Sequence, residues 1–394
     1  MCIIIDMKKI MFVMPLMAVS LLACSKGGGS TPTSKSYTVT FNCTDCKAYD
    51  ESDNEVKEIQ VPVSSYSPHY KFHFKTDNSY KRPFKSLISV KKTDKEETVN
   101  FEFDPADCEI DVVVNSDLTI SASGFNKTLE ECTWAQINEI STTGRADEFF
   151  DVGNTKNVTL TYEGKLQKFS HEVRIIGFNQ DYSELIDGDN DPDPNKALGI
   201  TFEFVNVITN SNGEPVTTKW NLSANYDYRS STLNGFLNDA GDDASVINML
   251  PSSDDPDNPD LRNVIKPVDK KVGVSTDEGQ NYTATSFDGE THPYPYLFPL
   301  VHDEIHDVAG RAHLTSGEAT GIYKYYEDYA GDSKEDREYR MKTAVNGSNS
   351  LNYWFRSPAT DDNDCAFHVT NIGHIDDEGK TFINDFPISP AFCI

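Results

Sequence analysis

Hydrophobic and polar residues alternate along the first part of the chain, which is the pattern of β-strands with one buried face. In YTVTF the side chains of Tyr37, Val39 and Phe41 fall on one face, and VNFEF, IDVVV and LTISA repeat the alternation between turn residues. YKFHFK alternates as strictly and leaves its lysines for solvent. The pattern predicts a small all-β domain over residues 37–124.

A helical period replaces the alternation in CTWAQINEISTTG. Thr133 and Gln136 have the spacing of a capping box, Trp134 begins an apolar stripe with the two isoleucines that follow it, and Gly144 is a typical C-terminal stop. These residues predict a helix from Trp134 to Thr143.

The rest of the chain mixes strand-like and helix-like stretches. NVTLTYEGKLQKFSHEVRIIGFN is typical of a β-hairpin, whereas GITFEFVNV, YWFRSP, AFHVTN and SPAFCI are typical of single strands. SSTLNGFLND and VINMLP are typical of short helices. Helices that lie between strands favour an α+β domain, with short helices packed on antiparallel sheets, over residues 126–394.

The N-terminus has the layout of a bacterial export signal. In MKKIMFVMPLMAVSLLACS two lysines precede an apolar stretch from Ile10 to Ala23, which is shorter than the roughly 20 residues that cross a membrane. The preceding residues, MCIIID, add the acidic Asp6 to the positively charged start of the signal. Met7 as well as Met1 is therefore a candidate first residue. We predict a lipoprotein signal peptide over residues 1–23.

The end of that stretch, Leu-Leu-Ala followed by Cys24, resembles the lipobox of bacterial lipoproteins. The resemblance implies that Cys24 is lipidated and becomes the first residue of the mature protein. Residues 24–36 are rich in Gly, Ser and Thr, which predicts a flexible tether. Acyl chains, worth about 0.8 kcal/mol per buried methylene, would anchor the protein to the cell envelope, at the outer membrane or cell surface.

Length and charge limit the classes of function. A chain of 394 residues with 37% hydrophobic residues is long enough for two or three domains with apolar cores. Its net charge of −28 would repel phosphate backbones, which argues against nucleic acid as a partner. The membrane, reached through the lipid anchor, is the first expected partner.

From Thr133 to Ile394 the chain resembles a bacterial domain family of unknown function. The motifs TW..I..I...G, V.IIGFN.D, ITFEF, STL..FLN, VIKPV.K, W.RSP and PAFCI carry the resemblance and follow the family's order. Family members usually have Trp-Leu-Arg-Ser-Pro near their end and close on Arg-Pro-Ala-Phe. The signature residues in this chain are Trp134, Gly177, Trp354, Arg356, Pro390 and Phe392.

This signature in turn resembles the C-type-lectin-like fold, which is shared with phage tropism determinants and, distantly, with formylglycine-generating enzymes. The resemblance implies that residues 390–394 form an interior strand beside the start of the domain, that Trp354 fills the core and that Arg356 lies near the rim. Ser389 replaces the family's arginine. The opening YTVTFN similarly resembles β-grasp or sandwich repeats of bacterial surface proteins.

Lectin-like folds vary and bind ligands in their surface loops. The resemblance therefore implies a non-enzymatic binding or adhesion module for a glycan or a protein. A structural subunit of a surface assembly is an alternative interpretation of the same features.

The motif VHDEIH offers different chemistry. His302 and His306 have the spacing of the H-E-x-x-H zinc motif, and Glu304 lies between them. These residues would make the protein an envelope metallohydrolase. Because Asp303 replaces the catalytic glutamate of that motif, we assign no catalytic residue and favour a protein that is not an enzyme.

We predict no cofactor, with calcium as the alternative. Asp187, Asp189 and Asp191 alternate in DGDNDPDPN, where their carboxylates could gather around the ion. Pro192 and Leu198 occupy the positions at which an EF-hand loop carries glycine and a bidentate glutamate, so a solvated acidic loop is the other interpretation.

Six cysteines follow Cys24, and export would let them form disulfides. Their pairing cannot be deduced from spacing. We expect Cys365 and Cys393 to be close and name them as the candidate disulfide, because both belong to the closing region of the large domain. A zinc ribbon requires two C-x-x-C motifs, and no second one follows CTDC. CTDC also follows a strand in an all-β stretch, whereas a thioredoxin motif lies in a βαβ pattern.

Overall fold

The computed structural model describes residues 35–63, 68–77, 80–95, 97–162, 167–183, 196–222, 227–275, 282–306, 321–358 and 365–394. Strands make up 39% and helices 16% of the structure, so sheets dominate and helices are few. This composition is compatible with the predicted α+β class. The signal peptide, Cys24 and nearly all of the tether lie outside the described residues.

The small domain consists of nine strands. They are β1 (Ser36–Thr44), β2 (Lys47–Tyr49), β3 (Glu55–Val56), β4 (Glu58–Pro62), β5 (His69–Lys75), β6 (Ile88–Lys92), β7 (Glu102–Asp104), β8 (Glu109–Val113) and β9 (Leu118–Ser123). One sheet has the order β4-β1-β9-β6, with β1 and β9 parallel, and the other has the order β3-β2-β5-β8-β7. Two sheets that enclose one core make this domain a sandwich, not a β-grasp.

The core of the sandwich follows from the alternating pattern. Val39 and Phe41 of β1 are buried, and the ring of Phe41 meets that of Phe72 from the opposite sheet at 4.8 Å. Of VNFEF, only Glu102 and Phe103 lie in a strand, β7, while Val99, Phe101 and Phe103 are partly buried against the core. The lysines of β5 are exposed, as predicted.

Fourteen strands belong to the large domain among the described residues. They are β10 (Thr155–Tyr162), β11 (Gln167–Tyr182), β12 (Ala197–Phe204), β13 (Thr217–Lys219), β14 (Val272–Ser275), β15 (Tyr282–Thr285), β16 (Phe298–Pro299), β17 (Lys342–Thr343), β18 (Ser350–Leu351), β19 (Tyr353–Pro358), β20 (Cys365–Val369), β21 (Ile375–Thr381), β22 (Asp385–Pro387) and β23 (Pro390–Cys393). The main antiparallel sheet has the order β10-β11-β12-β23-β16, and a second has the order β19-β20-β21.

Six short helices accompany these strands in the described part of the chain. They are α1 (Trp134–Ser141), α2 (Thr232–Asn238), α3 (Val246–Met249), α4 (Leu261–Val264), α5 (His302–Ile305) and α6 (Lys334–Arg340). None of the helices within the described ranges is long and apolar enough to cross a membrane.

Helix α1 confirms the predicted capping box. Thr133 Oγ1 accepts from the Gln136 backbone, and the Gln136 side chain accepts from the Thr133 backbone, both at 3.2 Å. The helix ends at Ser141, two residues earlier than predicted, and Gly144 follows with a φ of 69°. That left-handed conformation is one that glycine adopts without strain.

Strand β23 is an interior strand, as predicted. It pairs with β12 on one side and with β16 on the other. Phe392 is fully buried, with its ring stacked on Phe202 at 5.3 Å and edge-on to Trp134 at 6.5 Å. The closing residues therefore lie beside the helix that opens the domain.

Two signature residues of β19, the aromatic Trp354 and the basic Arg356, are both buried. Trp354 is 1% exposed, and its Nε1 donates to the Thr218 carbonyl at 2.9 Å. Arg356 is 0% exposed and donates to the Pro299 carbonyl at 2.9 Å as well as to Glu304. The prediction that Arg356 lies near the rim is wrong, because a buried acid compensates its charge inside the domain.

Aromatic rings and an ion pair join the two domains. Phe125, at the end of the sandwich, contacts Phe84 at 5.4 Å and Phe149 of the large domain at 5.5 Å. Arg82 pairs with Glu148 at 2.8 Å. The small domain is therefore packed against the large one and does not hang from it as a separate unit.

Candidate functional site

A buried group of three charges lies on β11, β12 and β17. Glu203 is 0% exposed, and its Oε1 accepts from Arg174 Nε at 2.7 Å while its Oε2 accepts from Lys342 Nζ at 2.7 Å. Burial would raise the pKa of Glu203, but the two cations outweigh it and lower the pKa to about 2. One carboxylate thus serves two cations, which leaves one excess positive charge.

Tyrosine rings cover Arg174 from outside. Its guanidinium lies 4.0 Å from the ring centre of Tyr325, and Nη1 donates to the Tyr325 hydroxyl at 2.8 Å. Nη2 donates to the hydroxyl of Tyr326, which itself donates to Glu203 at 2.7 Å. A cation held by aromatic faces and a carboxylate has little freedom to move.

Arg174 and Tyr325 line an open groove of about 290 Å³. Its lining residues are Arg174, Val205, Asn206, Tyr325, Glu338, Tyr339, Met341 and Thr343. Tyr339 of α6 is half-buried and stacks on Tyr329, so its ring is fixed at the groove edge. We call this feature the tyrosine groove.

The tyrosine groove has the chemistry of a binding surface. Fixed aromatic rings supply flat apolar area at a low entropic cost, and Asn206, Glu338 and Thr343 supply hydrogen-bonding groups beside them. The arrangement suits recognition of a ligand with alternating apolar faces and hydroxyl or amide groups.

A second buried charge group lies behind the main sheet. Lys270 Nζ donates to Glu304 at 2.8 Å and also contacts Asp181, while Arg356 binds both oxygens of Glu304 at 2.7 and 2.9 Å. Tyr323 donates to Asp181 at 2.7 Å. Burial would raise the pKa of Glu304, but Arg356 and Lys270 outweigh it and lower the pKa. This group is neutral, with two acids for two bases.

That engagement of Glu304 contradicts the proposed metal ligands. Helix α5 ends at Ile305, so His302 and His306 do not follow one another on a helical face, although their rings are 4.8 Å apart. Glu304 points to two cations instead. Within the described ranges, no three His, Cys, Asp or Glu side chains are placed to hold a metal ion.

The other predicted site residues have mixed outcomes. Asp187, Asp189 and Asp191 lie outside the described residues. Cys365 and Cys393 belong to one buried apolar cluster, as expected, but Cys393 is a free thiol whose Sγ lies 3.4 Å from Asp181 and from Thr201. The predicted disulfide between them is therefore not formed.

Sequence reasoning missed the tyrosine groove. Its residues come from β11, the segment after β12, the segments on both sides of α6, α6 itself and β17, so only the fold brings them together. The polar stretch EDYAGDSKEDRE includes the first five residues of α6. The run YKYYEDY at 323–329 was the available signal, since so many aromatic residues in one short polar stretch are unusual for a solvated loop.

A second depression, of about 410 Å³, lies at the end of α1 beside Thr143, Asn179, Tyr182 and Lys266. Tyr182 contributes the only aromatic ring among its lining residues, so it lacks the stacked rings of the tyrosine groove. It provides a matched surface for control substitutions.

No known protein family, characterised protein or solved structure was found to match this chain. The resemblance to a lectin-like bacterial family stays a prediction.

Proposed function

We propose that the protein is a lipid-anchored component of the bacterial cell envelope that binds a glycan or protein ligand in the tyrosine groove, without catalysis. The observation that carries this proposal is the fixed cluster of Tyr325 and Tyr339 over the buried charges of Arg174 and Glu203. The lipid anchor on Cys24 would hold this surface at the membrane.

Pre-organisation supports a binding role. Arg174 is held by Glu203, Tyr325 and Tyr326, so little side-chain entropy remains to be lost when a ligand binds. The groove wall is therefore built before the ligand arrives. The side chain of Arg174 remains 11% exposed and lines the open groove, which packing of the domain alone would not require.

A glycan is the ligand class that the groove chemistry favours. Sugar rings have apolar C–H faces that pack on tyrosine rings, and hydroxyls that pair with amide, carboxylate and hydroxyl groups. Tyr339 offers the first kind of contact, and Asn206 and Glu338 offer the second. A short polar protein loop has similar requirements and is the alternative ligand.

We propose, in addition, that residues 126–394 adopt a C-type-lectin-like fold. The interior position of β23 and the contact of Phe392 with Trp134 support this proposal, because such folds bring their last strand back to the start of the domain. The same packing is compatible with other α+β folds, so the binding proposal depends on the groove and not on the fold.

Glycan-array screening of the full chain, with and without calcium, tests the binding function. We expect specific binding that Tyr339→Ala lowers at least tenfold, whereas Tyr182→Ala in the second depression leaves it unchanged. Tyr339→Phe keeps the ring and should retain most of the affinity. Binding that responds to Tyr182→Ala and not to Tyr339→Ala would refute the assignment to this groove.

The anchor has a separate test. Cys24→Ala should move the protein from the membrane fraction to the soluble fraction, because the acyl chains supply the membrane affinity. Continued membrane association of Cys24→Ala would contradict the anchor without affecting the groove. Self-association at micromolar concentration, with no ligand found, would favour the structural-subunit alternative.

A further inference from the structure

Two cysteines meet at one corner of the small domain. Cys43 lies near the end of β1, and Cys46 directly precedes β2. Between them the chain turns at Asp45, which has a φ of 57°. Both cysteine side chains are half-buried, so solutes reach them from one side.

Neighbouring backbone fixes this corner. The Gly124 amide donates to the Thr44 carbonyl at 2.9 Å. A Cβ atom added at Gly124 would lie 2.6 Å from the Asp45 carbonyl oxygen, so only glycine permits this close approach. The turn between the two cysteines is therefore held against β9, and the thiols meet without any rearrangement of the strands.

The two thiols are three residues apart across this turn, and both pack against the core of the sandwich. The neighbouring Cys46 and, to a lesser degree, the Ala48 backbone lower the pKa of Cys43, although partial burial raises it. The proximity of Cys43 and partial burial both raise the pKa of Cys46. One sulfur of the pair is thus prepared to be the thiolate nucleophile, and the other to follow it.

A third cysteine lies close by in a different environment. Cys108 is 1% exposed, and its thiol donates to the Pro83 carbonyl at 3.2 Å. Burial raises the pKa of Cys108 to about 12, so it is rarely a thiolate. Its sulfur is also shielded from solutes by the sandwich core.

We propose that Cys43 and Cys46 form a redox modification site, which an external disulfide oxidises to an intramolecular disulfide while Cys108 remains a thiol. The oxidant belongs to the class of small or protein disulfides that exchange with exposed dithiols. Both cysteines are free thiols in the structure.

The exchange proceeds in two displacement steps. The Cys43 thiolate attacks one sulfur of the external disulfide, the disulfide bond breaks, and one thiolate leaves with an electron pair. Cys46 then loses its proton and attacks the Cys43 sulfur, which releases the second external thiolate. Two electrons pass from the cysteine pair to the oxidant, and the two protons end on its two released thiols.

Trypsin mapping gives a direct test, because residues 36–47 form one peptide that contains both cysteines and residues 96–127 form another that contains Cys108. The folded full chain is incubated with oxidised glutathione, alkylated with iodoacetamide and digested. We expect the 36–47 peptide without alkylation and lighter by two hydrogens, whereas Cys108 is alkylated after unfolding. Reduction before alkylation should restore two alkyl groups.

Two variants keep the test decisive. Cys46→Ser should leave Cys43 as an alkylated thiol or as a mixed disulfide with glutathione, and Cys108→Ala should leave the Cys43–Cys46 bond unchanged. A folded protein whose 36–47 peptide stays fully alkylated at every glutathione ratio would overturn the proposal. A bond that links this peptide to residues 96–127 would overturn it as well.

Discussion

The carboxylate of Glu304 should be among the most sensitive groups in the large domain. It is 1% exposed, accepts two hydrogen bonds from Arg356 and one from Lys270, and also accepts from the Val301 amide at 2.9 Å. Glu304→Gln keeps the shape of the side chain but removes its charge. Arg356 and Lys270 then share a single remaining acid, Asp181.

The loss in free energy of unfolding follows from the buried charges that remain without a partner. Removing one partner of a buried ion pair typically costs about 3 to 5 kcal/mol, because the remaining charge stays desolvated without compensation. An exposed pair in the same domain is the control: Lys324 and Glu327 are 64% and 45% exposed, and Glu327→Gln should cost less than about 1 kcal/mol.

Urea unfolding followed by tryptophan fluorescence measures this difference. All three tryptophans, Trp134, Trp220 and Trp354, are buried in the core of the large domain, so the signal reports on that domain alone. We expect a lower midpoint for Glu304→Gln at an unchanged slope. If Glu304→Gln and Glu327→Gln lost the same small amount, the buried charge group would contribute nothing and our reasoning would be wrong.

Further predictions concern the core, the first helix and pH. Phe392→Ala should cost about 3 to 5 kcal/mol in the same urea assay, and Phe392→Leu clearly less, because the ring is fully buried between Phe202 and Trp134. Thr133→Ala should cost about 1 kcal/mol by removing the cap, and Thr133→Ser should be close to neutral. Burial lowers the pKa of Lys342 from 10.5 to about 8, so the unfolded chain binds the extra proton above pH 8. The stability of the wild type relative to Lys342→Met should therefore rise by about 1 to 2 kcal/mol between pH 8 and 10, and a flat or falling difference would contradict the assigned shift.

The parts of the fold that depend on local pattern were predictable. The strands of the sandwich follow from their alternation, and α1 follows from its capping box. These elements need only information carried by neighbouring residues.

The charge groups and the groove were not predictable in the same way. Arg356 and Glu304 are 52 residues apart, and Arg174 and Tyr325 are 151 residues apart, so only the completed fold brings them together. A buried arginine also looks like a surface residue in a sequence, because charged side chains are rarely fully buried without partners.

Strand β23 has a consequence for how the protein is made. Residues 390–393 fill the gap between β12, which spans residues 197–204, and β16 at residues 298–299. During synthesis the sandwich can fold as soon as it emerges, but the sheet of the large domain stays open until these residues are made. If synthesis stalls before residue 390, the facing edges of β12 and β16 remain unpaired. Exposed strand edges favour aggregation, so such a chain would be recognised by chaperones and proteases.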